Sequence, residues 1–454
     1  MYKMKSKIVI LIFALVSIFV IFNEDKEDHN QFNSDVCGYY LYLPAFFIYH
    51  DAGKFDFYPG INNKYSCSFA LNAPLPGMDG KRLDKYPLGV AFFEMPLFLA
   101  AHCYCMLSGQ YPADGFTPPY QVAIMLSNIF WVVLGLIVLR RFLKKYFDDT
   151  IVSVTLFCLT FGTNLYAYSG FQPGMSHGYS FFLFACLLSV TTKFYDEPWK
   201  LSSSVLLGLC MGFIFIGRPI NVIAIIIPVF WKINNLQTAK NRALFFIAHC
   251  KITLAFIMSF FFVAAVQFSY WHYITGYWFV WSYPGEGFNF LHPNVINGLF
   301  SYRKGWFVYT PMALVAMSGF YFLRKKDKTL FPALAVFFIV MGYVVFSWRQ
   351  WWYGGSFGCR VMVESYTFLA LPMGALVEHF YVVKNKFIKA AAFCAIILMS
   401  GLNIFQTYQY SMGLIHWSRM TREYYWKVFG KIDFDRGQNE KYLIPEDQEG
   451  LYNN

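Results

Sequence analysis

Long apolar runs separated by short polar stretches dominate the chain. The first, at 8–22, follows Lys3, Lys5 and Lys7, and others recur at about 118–139, 151–168, 175–192, 201–217, 219–231, 252–272, 305–323, 329–348, 361–381 and 387–405. A hydrocarbon core of ~30 Å takes roughly 20 residues of helix, so each run predicts a transmembrane helix. Several runs are short, and the pair flanking Gly217-Arg218-Pro219 fits a span least well. The first run ends in Asn23-Glu24-Asp25-Lys26 with no small-residue cleavage site, which predicts a retained helix rather than a removed leader. The loop pattern shows neither a repeat nor an inverted half, which weighs against a transporter.

One further apolar segment, 86–107, is long enough to span, and charge bias decides its placement. If it does not cross, twenty Lys and Arg lie at inward-facing ends and only five, Arg218, Arg303, Lys304, Arg349 and Arg360, in short outward loops. If it crosses, Arg140-Arg141 and Arg324-Lys325-Lys326 move outside. Inward loops of membrane proteins are enriched in Lys and Arg. The segment is therefore expected to lie on the outer surface or dip into it. The predicted fold is an all-α polytopic bundle of about eleven transmembrane helices, with an inside N-terminus and an outside C-terminus. Residues 1–405 form the transmembrane module, 23–117 a long first periplasmic loop within it, and 406–454 a periplasmic tail with a mobile end.

Composition agrees: 57% of residues are hydrophobic, 21% aromatic and only 14% charged, against ~25% charged in an average soluble domain. Disordered, collagenous and disulfide-rich secreted chains are excluded. The net charge of +11 sits between apolar runs, without a basic face, so no nucleic-acid partner is implied. Most of the ten cysteines fall inside apolar runs, where the residue acts as a small hydrophobe. Cys37 and Cys67 instead share the polar loop, where an oxidising compartment allows a disulfide. No Cys-x-x-Cys or His/Cys spacing suggests zinc.

Charge near membrane depth is expensive, so ionisable residues on the outward side are functional candidates. They are Asp35, Lys85, Glu94, His177, Arg218, Glu286, Arg303, Lys304, Arg349, Arg360 and Glu364. Asp35, in Ser34-Asp35-Val36-Cys37-Gly38-Tyr39-Tyr40, is either a helix cap or a carboxylate whose partial desolvation raises its basicity. The loop cations are interfacial anchors singly and, together, a site for lipid phosphate, which guanidinium grips with a bidentate fork. Gln172 and His177, in Gln172-Pro173-Gly174-Met175-Ser176-His177-Gly178, could bond a sugar or cap a helix. Trp351 and Trp352 could stack on sugar rings or form an aromatic belt.

Together these residues resemble the GT-C superfamily of polyprenyl-phosphate-sugar-dependent glycosyltransferases, nearest to bacterial relatives of protein O-mannosyltransferases and lipid A aminoarabinose transferases. The resemblance covers roughly 1–405. It rests on Asp35 opening the first outer loop and on Lys85-Tyr86-Pro87-Leu88-Gly89 opening the surface segment. It rests also on Ser176-His177-Gly178-Tyr179-Ser180, on Ser301-Tyr302-Arg303-Lys304-Gly305-Trp306-Phe307-Val308-Tyr309-Thr310-Pro311, and on Trp352-Tyr353-Gly354-Gly355-Ser356-Phe357-Gly358-Cys359-Arg360. It implies an inverting transferase of the bacterial inner membrane, its active site facing the periplasm and the bilayer and a polyprenyl-phosphate-linked sugar among its partners. The implied roles are Asp35 as general base, Arg218, Arg303, Lys304, Arg360 and Lys85 on the donor phosphate, and His177, Gln172, Glu94, Trp351, Trp352 and Tyr39 around sugar and acceptor. Many relatives carry a second acid directly after the aspartate; Val36 stands there instead. The expectation is therefore metal-free chemistry without a cofactor, with Asp84 or Glu94 as a second carboxylate. A lipid-linked-sugar flippase and a non-catalytic envelope protein are the alternatives.

Overall fold

The computed structural model describes residues 5–23, 31–67, 72–197 and 200–449, and these are overwhelmingly helical. The main helices are α1 (Lys5–Asn23), α2 (Ser34–Tyr40), α3 (Gly89–Ser108), α4 (Pro118–Leu143), α5 (Asp149–Phe161) and α6 (Ser176–Asp196). They continue with α7 (Leu201–Gly217), α8 (Cys250–Thr275), α9 (Pro311–Lys326), α10 (Phe331–Phe346), α11 (Tyr366–Val382) and α12 (Lys386–Ser411). The run at 219–231 folds as a 3-10 segment, Pro219–Ile225, continued by Ile226–Phe230. A two-stranded antiparallel hairpin, β1 (Asn72–Pro76) with β2 (Arg82–Leu83), is the only sheet among the described residues. Each expected run is thus helical. Five helices, α1, α3, α4, α8 and α12, are long and apolar enough to cross a membrane; α5, α7, α10 and Pro219–Phe230 are shorter and apolar. By length and composition α3 belongs with the first five, so the distinction drawn for 86–107 rests on charge bias alone.

Local chemistry sets the helix ends. Proline occupies the first turn of α4, α9 and α10, where its missing N–H has no partner to lose. Arg140 and Arg141 end α4, and Arg324, Lys325 and Lys326 end α9, where cations meet the negative end of the helix dipole.

The helices pack in the series α8, α7, α6, α4, α1, α5, α11, α9, and a contact between α6 and α11 closes α4, α1, α5, α11 and α6 into a ring. Phe184 of α6 stacks on Phe368 of α11 inside it, centroids 4.9 Å apart. Such a pair adds about 0.5–1.5 kcal/mol beyond burial. Between helices surrounded by lipid, close packing of this kind replaces the hydrophobic drive. Only 22% of the most apolar stretch of α8 and 11% of that of α12 is buried. These apolar but uncovered flanks are what a lipid-facing surface requires.

Two ion pairs tie one end of the bundle. Arg140 lies 3.1 Å from Asp149, whose carboxylate also accepts from Ser6, and Lys326 lies 2.5 Å from Glu378. The opposite end gathers α2, the starts of α3, α6 and α11, and the end of α7. The last helix runs through Ser411, beyond the expected boundary at 405, before the chain turns back. The tail packs against the rest of the chain over its described length: the helix Arg422–Val428 buries Tyr424 and Tyr425, and Leu443 and Ile444 are buried too. Its last residues, where a mobile end is expected, lie outside the described ones.

Candidate functional site

Three cations at this end each face a carboxylate. The Asp35 carboxylate lies 2.7 Å from the Arg360 guanidinium and accepts a 2.5 Å hydrogen bond from the Tyr86 hydroxyl. Arg218 lies 2.9 Å from Glu364, and Lys85 lies 3.2 Å from Glu286 while resting over the Tyr283 ring. The Tyr39 ring packs 4.8 Å from that of Tyr86, between the first two pairs, and interacts electrostatically with Asp35, Arg218 and Arg360. The three pairs form one electrostatically linked group.

The backbone brings these residues together at specific points. Ser34 adopts a left-handed φ of 50°, which turns the chain directly into α2 and sets Asp35 in its first turn. Gly89 starts α3 so close to α7 that a Cβ would stand 2.5 Å from the Ile216 carbonyl, so Lys85-Tyr86 can reach the end of α7, where Arg218 sits. Gly358 has φ of 59° and a Cβ there would meet Tyr309 at 2.9 Å, so the turn into Arg360 needs glycine. A π-helical turn at Ala167–Phe171 follows α5, a rare element frequent near functional sites. Its Tyr168 hydroxyl donates to the Phe357 carbonyl and accepts from the Phe357 N–H, pinning the strip that leads to Arg360.

Glu364 is fully buried and joins Arg218 to His177, whose Nδ1 is 3.0 Å from both Glu364 and Arg218. One ring nitrogen serves one of them at a time: it donates to the carboxylate when protonated and accepts from the guanidinium when not. For Asp35, burial pushes the carboxyl up, but Arg360, Tyr86 and Lys85 outweigh burial and hold it below its ordinary value of 3.8.

A cavity of about 570 Å³ opens over Asp35 and Arg360. Gln172 lines it and donates to the Tyr410 hydroxyl at 3.1 Å. His416, Trp417, Arg419 and Arg436 line its far side, so the returning tail forms one wall. Burial and Arg419 hold His416 down at about 4, leaving a neutral ring at neutral pH.

The remaining sequence candidates sit elsewhere. Arg303 is buried, donates to the Ser418 and Glu449 carbonyls, and lies over the Trp352 ring, 3.6 Å from its centroid. Lys304 is buried and donates to the Ser356 and Trp417 carbonyls. Burial, with Arg360 and Arg303 nearby, holds its amine well below the usual lysine value. Both side chains thus grip the tail. Trp351 and Trp352 are buried edge to face, with one Trp352 face covered by Arg303. Glu94 is buried beside Tyr179, which donates to it at 3.1 Å, and Asp84 is buried against the Tyr86 N–H; neither joins Asp35 as a paired carboxylate. Among the described residues no group of three His, Cys, Asp or Glu is arranged to hold a metal ion.

The sequence named Glu364 and Glu286 as candidates without giving them roles, and missed Tyr86 and the tail residues His416, Arg419 and Arg436. Tyr86 carries a signal, standing next to Lys85 in the motif that opens α3. The tail residues carry none, because nothing in their sequence says the tail folds back. Compared with family models, with curated proteins and with solved structures, the chain matches none.

Proposed function

We propose that the protein is a GT-C-type inverting glycosyltransferase of a bacterial inner membrane. In this reading it moves one sugar from a polyprenyl-phosphate donor to a periplasmic lipid, glycan or protein. The chain threads the bilayer about eleven times, with the Asp35 end facing the periplasm. The observation that carries the reading is a carboxylate and a guanidinium in contact on the wall of one cavity. A transfer of this kind needs that combination: a base for the acceptor and a cation for the departing phosphate.

Asp35 accepts the proton of the acceptor hydroxyl as its oxygen attacks the anomeric carbon. The bond to the phosphate oxygen breaks on the opposite face, so configuration inverts, and polyprenyl phosphate leaves with the bonding electrons. A phosphate leaving group needs no strong acid, which suits a site whose other carboxylates are committed to cations. Arg360 has five N–H donors and only part of them engage Asp35. An incoming phosphate can use the rest, drawing positive charge away from Asp35 and making it a better base. Arg218 and Lys85 are the additional phosphate ligands, with His177 and Glu364 orienting Arg218. Gln172, on the cavity wall, meets the acceptor, the buried Tyr39 backs Tyr86, and Arg303 and Lys304 support the tail.

The test is purified protein in lipid nanodiscs, supplied with labelled polyprenyl-phosphate sugars and an acceptor pool. Label should appear in an acceptor with inverted anomeric configuration. Movement of intact donor between leaflets, without transfer, would instead support a flippase and overturn this reading.

A further inference from the structure

Cys37 and Cys67 differ from the other cysteines. Both are fully buried in the cluster that Phe32, Tyr40, Phe98 and Phe116 build around the first loop. The neighbouring Cys67 and burial push the Cys37 thiol well above its ordinary value, and both residues are free thiols in the structure. The Tyr58 hydroxyl donates to the Cys67 carbonyl, fixing the chain where that residue sits. Cys105 lies in the same cluster but faces the Thr117 hydroxyl, and Cys158, Cys186 and Cys210 sit in α5, α6 and α7. Neither Cys37 nor Cys67 has a part in the proposed transfer. Thiols are weak donors and acceptors, so the pair contributes little as it stands. A covalent bond between the two sulfurs would hold α2, and with it Asp35, against the stretch that follows the helix Tyr58–Tyr65.

We propose that Cys37 and Cys67 are joined by a disulfide in the mature protein. Each thiol gives up its hydrogen as a proton, and two electrons pass to the disulfide of an envelope dithiol oxidase, which becomes a dithiol. One thiolate attacks that disulfide to form a mixed disulfide, and the second displaces the oxidase. Both sulfurs are enclosed in the finished cluster, so the exchange occurs before the cluster closes. The inference rests on the loop lying outside the cytoplasm, where disulfides persist, and not on the catalytic reading.

The experiment is alkylation of the full-length protein with N-ethylmaleimide, taken from native membranes and denatured without reductant, followed by peptide mapping. A cross-linked peptide pair containing Cys37 and Cys67 is expected, replaced by two alkylated peptides when reductant is added first. Alkylation of both residues without reductant overturns the pairing and leaves the Asp35 site to be judged by transfer. In Cys37→Ser, Cys67 should become alkylated; a Cys67 still linked to another cysteine overturns it equally. Mapping is done on denatured chain, so a variant that folds poorly still gives an answer.

Discussion

The Arg360 guanidinium stands 2.7 Å from the Asp35 carboxylate, joining the first loop to the turn before α11. Both side chains are only slightly exposed, 15% for Arg360 and 18% for Asp35. Burial alone would raise the carboxyl, and the ion pair reverses that. Asp35 is therefore ionised at rest, and its basicity depends on how fully Arg360 remains engaged with it.

A pH dependence follows. A folded-state value below the unfolded one means that ionised Asp35 contributes stability above about pH 4, lost as pH falls through the folded value. Transfer by the wild type should show no break assignable to Asp35 between about pH 5 and 8. In Arg360→Gln burial dominates, the carboxyl rises, and the acid limb of kcat/KM should move to higher pH. An unchanged limb in that variant, with activity retained, would show that Arg360 does not govern Asp35.

Glu364→Gln should destabilise the fold strongly. The carboxylate is buried and faces both Arg218 and His177. Removing one partner of a buried pair typically costs about 3–5 kcal/mol because the other charge is stranded. Thermal unfolding in detergent should show a clear drop, with weaker donor binding in the fraction that folds. A melting curve that overlays the wild type would mean that Arg218 finds another partner.

Lys304→Met should loosen the tail. Its side-chain nitrogen donates to the Ser356 and Trp417 carbonyls, so the substitution leaves the buried Ser356 carbonyl without its donor, at a cost of about 1–3 kcal/mol, while the Trp417 carbonyl keeps the Ser356 N–H. Limited proteolysis should cut faster within 412–449 while donor affinity changes little. Lost donor affinity with an unchanged cleavage pattern would return Lys304 to the phosphate.

Chelation should leave transfer unchanged. The proposed chemistry uses a carboxylate base and guanidinium counter-charge, so dialysis against a chelator should not lower the initial rate. A loss restored by a divalent cation would require a metal site that this reading lacks.

Much of the fold is legible in the sequence because a membrane span needs an apolar run of fixed length, and runs such as 118–139 and 387–405 leave no other element to form. The ends are less legible: α12 continues to Ser411 because Tyr408 and Tyr410 extend the helix past the apolar run without breaking it. The segment at 86–107 has the same length and composition as a span, and only the charges elsewhere in the chain treat it differently. Asp35, Arg218 and Arg360 stand out as charges in apolar surroundings. Their pairings do not, since Asp35 and Arg360, or Arg218 and Glu364, are distant in the chain and only packing brings them together. Arg303 and Lys304 look like free cations in sequence because their partners are backbone carbonyls, which every residue possesses and no sequence marks.

The most direct measurement of the central claim compares wild type and Asp35→Asn for sugar transfer and for donor binding, on the same nanodisc preparations. Asparagine keeps the size of the side chain and can still accept from Tyr86, but cannot take the acceptor proton. Loss of a general base typically slows a reaction about 10²–10⁴-fold. The account predicts a fall in turnover of that order with donor binding retained; equal turnover by the two proteins would contradict it.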